Sequence, residues 1–173
     1  MQVSHLPNPR NIGDVDPGSL VLIPDDNGNG NQWAIRTDRT DNKKLFRLNE
    51  GRLSNGEIAI ADFGTEYRVT IDPTQCRTLP YPSWDGKDPP QGSLCLFSEG
   101  KEVCHSILYS HPEVLSLRVF VFEKGKGKTG EMKTLILDEE CGVVFPNWRI
   151  EIKAEDEPGG YKWVYKFPAN DNE

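Results

Sequence analysis

The sequence predicts an all-β protein: two similar small antiparallel barrel or sandwich units from an internal duplication, about five strands each, plus a C-terminal hairpin strand. Three observations carry this expectation. Sixteen Gly and 13 Pro in 173 residues cut the chain into many short segments. Those segments are apolar or alternating runs, and none shows the 3.6-residue period of an amphipathic helix. Finally, Asp16-Pro17-Gly18-Ser19-Leu20-Val21-Leu22-Ile23 is echoed by Pro90-Gln91-Gly92-Ser93-Leu94-Cys95-Leu96-Phe97, a turn signal followed by an apolar strand in each case.

Residues 1–15, with Pro7, Pro9 and Gly13, read as a polar surface arm. The first repeat is expected over residues 16–72. Its strand 19–23 leaves the Asp-Pro-Gly turn, and the Asp25-Asp26-Asn27-Gly28-Asn29-Gly30 cluster returns the chain to a partner strand at 32–37. Strands at 44–48 and 57–61 flank a loop at 49–56, and Phe46 and Leu48 share a side. In 67–72, strict alternation turns Tyr67, Val69 and Ile71 inward. Residues 73–92 hold Pro73, Pro80, Pro82, Pro89 and Pro90, too many for a strand interior, and read as a connector.

The second repeat with its hairpin spans 93–167. Strand 94–97 matches 20–23, 103–109 matches 32–37, 115–123 matches 44–48, and 132–137 matches 57–61. Trp148-Arg149-Ile150-Glu151-Ile152-Lys153 repeats the pattern of Tyr67-Arg68-Val69-Thr70-Ile71-Asp72. The last strand, 161–167, pairs with 148–153 and places Tyr161, Trp163, Tyr165 and Phe167 on one face, read as core by default, with a platform stacking sugars or bases and a protein interface as the other readings. Residues 168–173 form a polar tail. The halves could be separate domains or one pseudo-symmetric body.

Twenty Lys and Arg against 27 Asp and Glu leave a net charge of −7, which argues against a broad phosphate-binding surface. The N-terminal residues lack a basic and apolar leader, and no stretch is long enough to span a bilayer, so the expectation is a soluble cytoplasmic protein. Cys76, Cys95, Cys104 and Cys141 have no CxxC spacing and read as free thiols.

Little in the chain suggests chemistry. A tight turn at 98–101 would set Cys95 opposite His105, as Val21 would face Trp33 in the first repeat. That pair is a candidate nucleophile and base, but neither an orienting group nor a third metal ligand accompanies it. His111, in Ser110-His111-Pro112, adds no zinc spacing. Gly125-Lys126-Gly127-Lys128-Thr129-Gly130 fails as a phosphate loop because Phe122 stands where the first glycine belongs and the loop joins strands. It remains a basic hairpin tip of Lys124, Lys126 and Lys128. Carboxylates fall in turns, where solvated charge is expected. No cofactor or metal motif is present.

The composition therefore favours a non-enzymatic binding protein engaging another protein, of adaptor, inhibitor or immunity type. Tyr81, Trp84, the three lysines and Trp163 are the candidate binding residues. The alternatives are a nucleic-acid-binding pair of small barrels, using the lysine tip with Arg68 and Arg149, and a cysteine-dependent enzyme built on Cys95 and His105.

Overall fold

The computed structural model describes residues 8–25, 28, 30–79, 90–113, 116–136 and 142–168. Within them the regular elements are strands, joined by two single 3-10 turns at Ile12–Asp14 and Pro73–Gln75. The first half contains β1 (Arg10–Asn11), β2 (Leu20–Ile23), β3 (Gln32–Arg36), β4 (Leu45–Arg47), β5 (Arg52–Ser54), β6 (Ile58–Ala59), β7 (Ala61–Gly64) and β8 (Arg68–Ile71). The second contains β9 (Arg77–Leu79), β10 (Leu94–Glu99), β11 (Glu102–Glu113), β12 (Ser116–Lys124), β13 (Gly127–Ile136), β14 (Gly142–Phe145), β15 (Trp148–Lys153) and β16 (Tyr161–Phe167).

The all-β expectation holds, but the strands form several open antiparallel sheets and none closes into a barrel. One sheet has the order β5-β4-β3-β2-β7, a second β13-β12-β11-β10-β14-β9, and a third β16-β15-β8, while β1 pairs with β6. The segment expected as one strand at 57–61 is split between two of these sheets, because β6 pairs with β1 and β7 pairs with β2. Leu137 lies outside the described residues, and residues 132–136 do not occupy the place expected from 57–61. They continue β13 as far as Ile136, and it is β14 that flanks β10 as β7 flanks β2. Residues 77–79, assigned to the connector, form β9 on the edge of β14, and the chain reaches its proline cluster only afterwards. The N-terminal segment is more than a lead-in. Ile12 and Val15 are buried with Val21, Ile23, Ala34, Leu45 and Ala59.

The two Gly-Ser-Leu stretches make the same local structure. Ser19 N donates to Asp16 O at 3.1 Å and Ser93 N to Pro90 O at 3.0 Å, closing a turn in each copy. Gly18 (φ 81°) and Gly92 (φ 97°) occupy the left-handed region that glycine enters without strain. Gly18 N then bonds Arg36 O at 2.7 Å, as Gly92 N bonds Leu108 O at 2.8 Å. The carbonyls of these glycines accept from Tyr67 Oη and Trp148 Nε1 respectively, each at 2.9 Å. Leu20 faces Ile35 in one sheet and Leu94 faces Ile107 in the other.

The register is one residue away from the expected one. β10 and β11 are joined by a two-residue turn at Gly100-Lys101, with Gly100 at φ 61° and Glu99 opposite Glu102. An even loop sets Cys95 opposite Ser106 and Leu96 opposite His105, not Cys95 opposite His105. In the first half, an even number of residues likewise separates Ile23 from Gln32, so Val21 faces Ala34 and Leu22 faces Trp33. A shift of one residue sends a side chain to the other face of a strand.

The largest buried cluster draws on both halves. It contains Leu20, Ile35, Phe46, Leu48 and Tyr67 together with Leu94, Ile107, Phe120, Phe122, Trp148, Ile150 and Tyr165. At its centre Phe46 stacks on Phe120, with ring centroids 4.5 Å apart and planes within 7°. The same two rings lie opposite Ile35 and Ile107 in their own sheets. Val69 and Ile71 pack against this cluster from β8, as their alternation implies.

Candidate functional site

The outer face of the β16-β15-β8 sheet brings charged and aromatic side chains together. In β15, alternation turns Trp148, Ile150 and Ile152 into the core and Arg149, Glu151 and Lys153 outward. In β8 the outward residues are Arg68 and Thr70. β16 departs from simple alternation. Ile150 faces Tyr165, but the next residue, Glu151, faces Trp163, which leaves Val164 as an extra residue in a β-bulge. Tyr165 and Phe167 therefore stay on the core side, whereas Trp163 and Tyr161 lie beside Glu151 and Lys153. The expected row of four core rings is broken by the bulge, and Trp163 is 58% exposed.

Across this face Arg68, Glu151 and Trp163 form one row, and Thr70, Arg149 and Lys166 the next. Glu151 is only 5% exposed because the arginines and Thr70 lie over it. Arg68 Nε donates to Oε2 at 2.6 Å and Thr70 Oγ1 to the same oxygen at 3.1 Å. Arg149 Nε lies 2.8 Å from Oε1. Burial pushes the Glu151 pKa up, but these hydrogen bonds and the two guanidinium charges outweigh it and hold the carboxylate below its ordinary range. The carboxylate fixes both guanidinium groups from below, while their side chains remain 53% and 46% exposed. Arg68 also stacks over the Tyr161 ring, 3.6 Å from its centroid. Arg149 and Lys166 stand directly opposite each other.

The lysine tip is rearranged. β13 begins at Gly127, so the expected loop 124–130 shrinks to the turn Gly125-Lys126. Lys124 pairs with Glu99 at 3.1 Å, and Lys133 reaches the same carboxylate at 2.6 Å, lowering the Glu99 pKa to about 2. Lys128 is bound to Glu123, lies 4.1 Å from the Tyr67 ring centroid and is 9% exposed. Lys126 is exposed at the turn. The three lysines therefore do not form a free basic patch.

Cys95 and His105 point to opposite faces of their sheet, which removes the geometry of a thiol and base pair. Cys95 is fully buried in an apolar cluster with Phe97, Leu108 and Val144. His105 instead places Nδ1 3.1 Å from Glu123 Oε1. Its burial lowers the imidazole pKa, Glu123 opposes that effect, and Lys128 adds to it. Cys104 is also buried, which raises its thiol pKa. Tyr81, Trp84, Cys141 and the His111 side chain lie outside the described residues. Among the described residues no group of three His, Cys, Asp or Glu side chains is placed to hold a metal ion, and no helix is long and apolar enough to cross a membrane.

Sequence reasoning named Trp163, Arg68 and Arg149 but assigned Tyr161 to the core and passed over Glu151. The available signal for Glu151 was Arg149 two residues before it, on the same face of an alternating strand. No family model, curated protein or solved structure matches this chain.

Proposed function

We propose that this protein works by binding another protein, in the manner of an adaptor, inhibitor or immunity-type protein, through Arg68, Arg149, Tyr161 and Trp163. The observation that carries the reading is the exposed Trp163 beside two arginines preset by a buried carboxylate. Tryptophan, tyrosine and arginine dominate the energetics of protein interfaces. Side chains already held in place lose little freedom on binding. An exposed indole gains nothing for the isolated fold, which supports a role in recognition. The pairing of Lys124 and Lys128 with carboxylates weighs against a nucleic-acid backbone as the target.

Parallel affinity captures with wild-type protein and Trp163→Ala test the reading. A partner held by the wild type should bind Trp163→Ala about thirtyfold more weakly, the effect of a 2 kcal/mol hot spot. Equal retention by both, or retention of nucleic acid with a steep loss on added salt, would overturn it.

The architecture fits the same reading if the halves arose by duplication. The repeated turn bonds, the matching Leu–Ile pairs and the Phe46–Phe120 stack support a common unit paired about a pseudo-two-fold axis. Such an origin leaves the second copy free to acquire β16 and its aromatic side chains.

A further inference from the structure

We infer that His105 is a proton-operated latch: uptake of a proton by its imidazole drives Lys128 away from Glu123 and loosens the seam between the two halves of the fold.

The seam is Lys128-Thr129-Gly130, at the start of β13. Gly18 approaches Thr129 so closely that a Cβ on the glycine would stand 2.6 Å from Thr129 N. A Cβ on Gly130 would stand 2.5 Å from Arg36 O, and Gly130 O accepts from Asp38 N at 2.9 Å. Lys128 completes the run by placing Nζ 4.1 Å from the centroid of the Tyr67 ring. That ring is itself fixed, since Tyr67 Oη donates to Gly18 O at 2.9 Å. Thr129 and Gly130 are therefore placed by backbone contact, whereas Lys128 is placed by charge.

Neighbouring strands build the charge cluster. His105 on β11 faces Glu123 on β12, and Glu123 faces Lys128 on β13. Lys128 Nζ is bound to Glu123 Oε2, and His105 Nδ1 lies 3.1 Å from Oε1. One carboxylate thus stands between an ammonium and an imidazole. Nδ1 is closed to solvent and makes no hydrogen bond among the described residues. Of the groups in the cluster, the imidazole is the one that ordinarily titrates near neutral pH. On its other side β10 contributes the uncharged Leu96, and the Phe122 ring lies 6.4 Å away. Glu123 and Lys128 are the charges that act on it. Tyr67 faces the same cluster, but burial and Glu123 push its phenol pKa well up, so it stays neutral. Arg36 and Asp38 border the far end of the seam.

Charge balance sets the effect of a proton. With the ring neutral, one carboxylate matches one ammonium. A proton on His105 leaves an extra positive charge beside Leu96, Phe122 and Tyr67, where water screens it poorly. β12 lies between β11 and β13, and β11 is paired on both sides, so Glu123 and His105 are held in the sheet. β13 is an edge strand, and the Lys128 side chain is long and flexible. Lys128 is therefore the cation that swings out to solvent, and its departure removes the charge-held contact of the seam.

NMR on the full chain tests the latch. The His105 imidazole should titrate below its ordinary 6.5, because burial and Lys128 outweigh Glu123. The seam is then closed at neutral pH and loosens as pH falls below 6.5 toward the folded value. The Asp38 amide, bonded across the seam, is the reporter. Its protection factor should drop about fivefold between about pH 7.5 and about pH 5.5 in the wild type and hold steady in His105→Gln. His5 and His111 remain in that variant and serve as the control. Lys128→Met keeps an apolar side chain against Tyr67 without the charge. It should raise the His105 midpoint by about one pH unit and keep the seam closed in acid. Equal Asp38 protection at both pH values in the wild type, or an equal drop in His105→Gln, would overturn the latch. So would a wild-type midpoint above 6.5, or one that Lys128→Met leaves in place.

Discussion

Glu151→Gln is the sharpest probe of the outer face, because glutamine keeps the shape of the side chain and removes its charge. Glu151 uses both oxygens: Oε2 accepts from Arg68 and Thr70, while Oε1 lies 2.8 Å from Arg149 Nε. A glutamine has one carbonyl oxygen, so one arginine is left facing an NH2 group, donor against donor. A hydrogen bond to a charged group contributes about 1.5–3 kcal/mol, but Arg149 can turn into solvent, which reduces the expected loss to about 1–2 kcal/mol. With a urea m-value near ~2 kcal/mol/M, the midpoint should fall by about 0.5–1 M with m unchanged. The pH dependence has a definite sign. The folded-state pKa of Glu151 lies below the ordinary 4.5, so its contribution is fully present above 4.5 and is lost as pH falls toward the folded value. The gap between wild type and Glu151→Gln should therefore be widest near neutrality and shrink in acid. A midpoint unchanged at neutral pH, or a gap that widens in acid, would refute the placement of this carboxylate beneath the two arginines.

Other substitutions test the fold that presents the face. Gly18→Ala and Gly92→Ala each force a residue with a Cβ to positive φ, at about 1–2 kcal/mol. Gly18→Ala should be the more damaging in urea unfolding, since its Cβ meets the Thr129 backbone whereas that of Gly92 meets a movable Phe167 ring; the reverse order would be inconsistent with the β13 contact. Phe46→Ala and Phe120→Ala should each cost about 3–5 kcal/mol, and their double-mutant cycle should show coupling of about 0.5–1.5 kcal/mol. Strict additivity would mean that the two rings do not stack. Alkylation under native conditions should modify Cys76 and spare Cys95 and Cys104, read by mass spectrometry; rapid native modification of Cys95 would contradict its burial.

Local chemistry was enough to place many strands and turns, but not β1, β5 and β9, which fall in stretches expected as arm, loop and connector. Gly18 and Gly92 follow from the positive φ their turns require, and the alternation of Tyr67-Arg68-Val69-Thr70-Ile71 alone predicts which residues of β8 face inward. The match of Leu20 with Leu94 was likewise visible in the chain, and both copies pair with an isoleucine.

What the chain left open was parity and partnership. Alternation has a period of two, so a single residue gained or lost at a turn or bulge reverses every side chain beyond it. The Gly100-Lys101 turn separated Cys95 from His105 in this way, and the extra Val164 carried Trp163 from the expected core to the surface. Partnership is equally non-local. Lys124 and Lys133 look free in sequence, and only the pairing of β10, β11, β12 and β13 brings Glu99 against them. Sequence alone therefore determined an all-β chain with a repeated turn and strand. The tertiary structure decided which rings and charges face outward, because loop parity, bulges and cross-strand neighbours are set by contacts between distant segments.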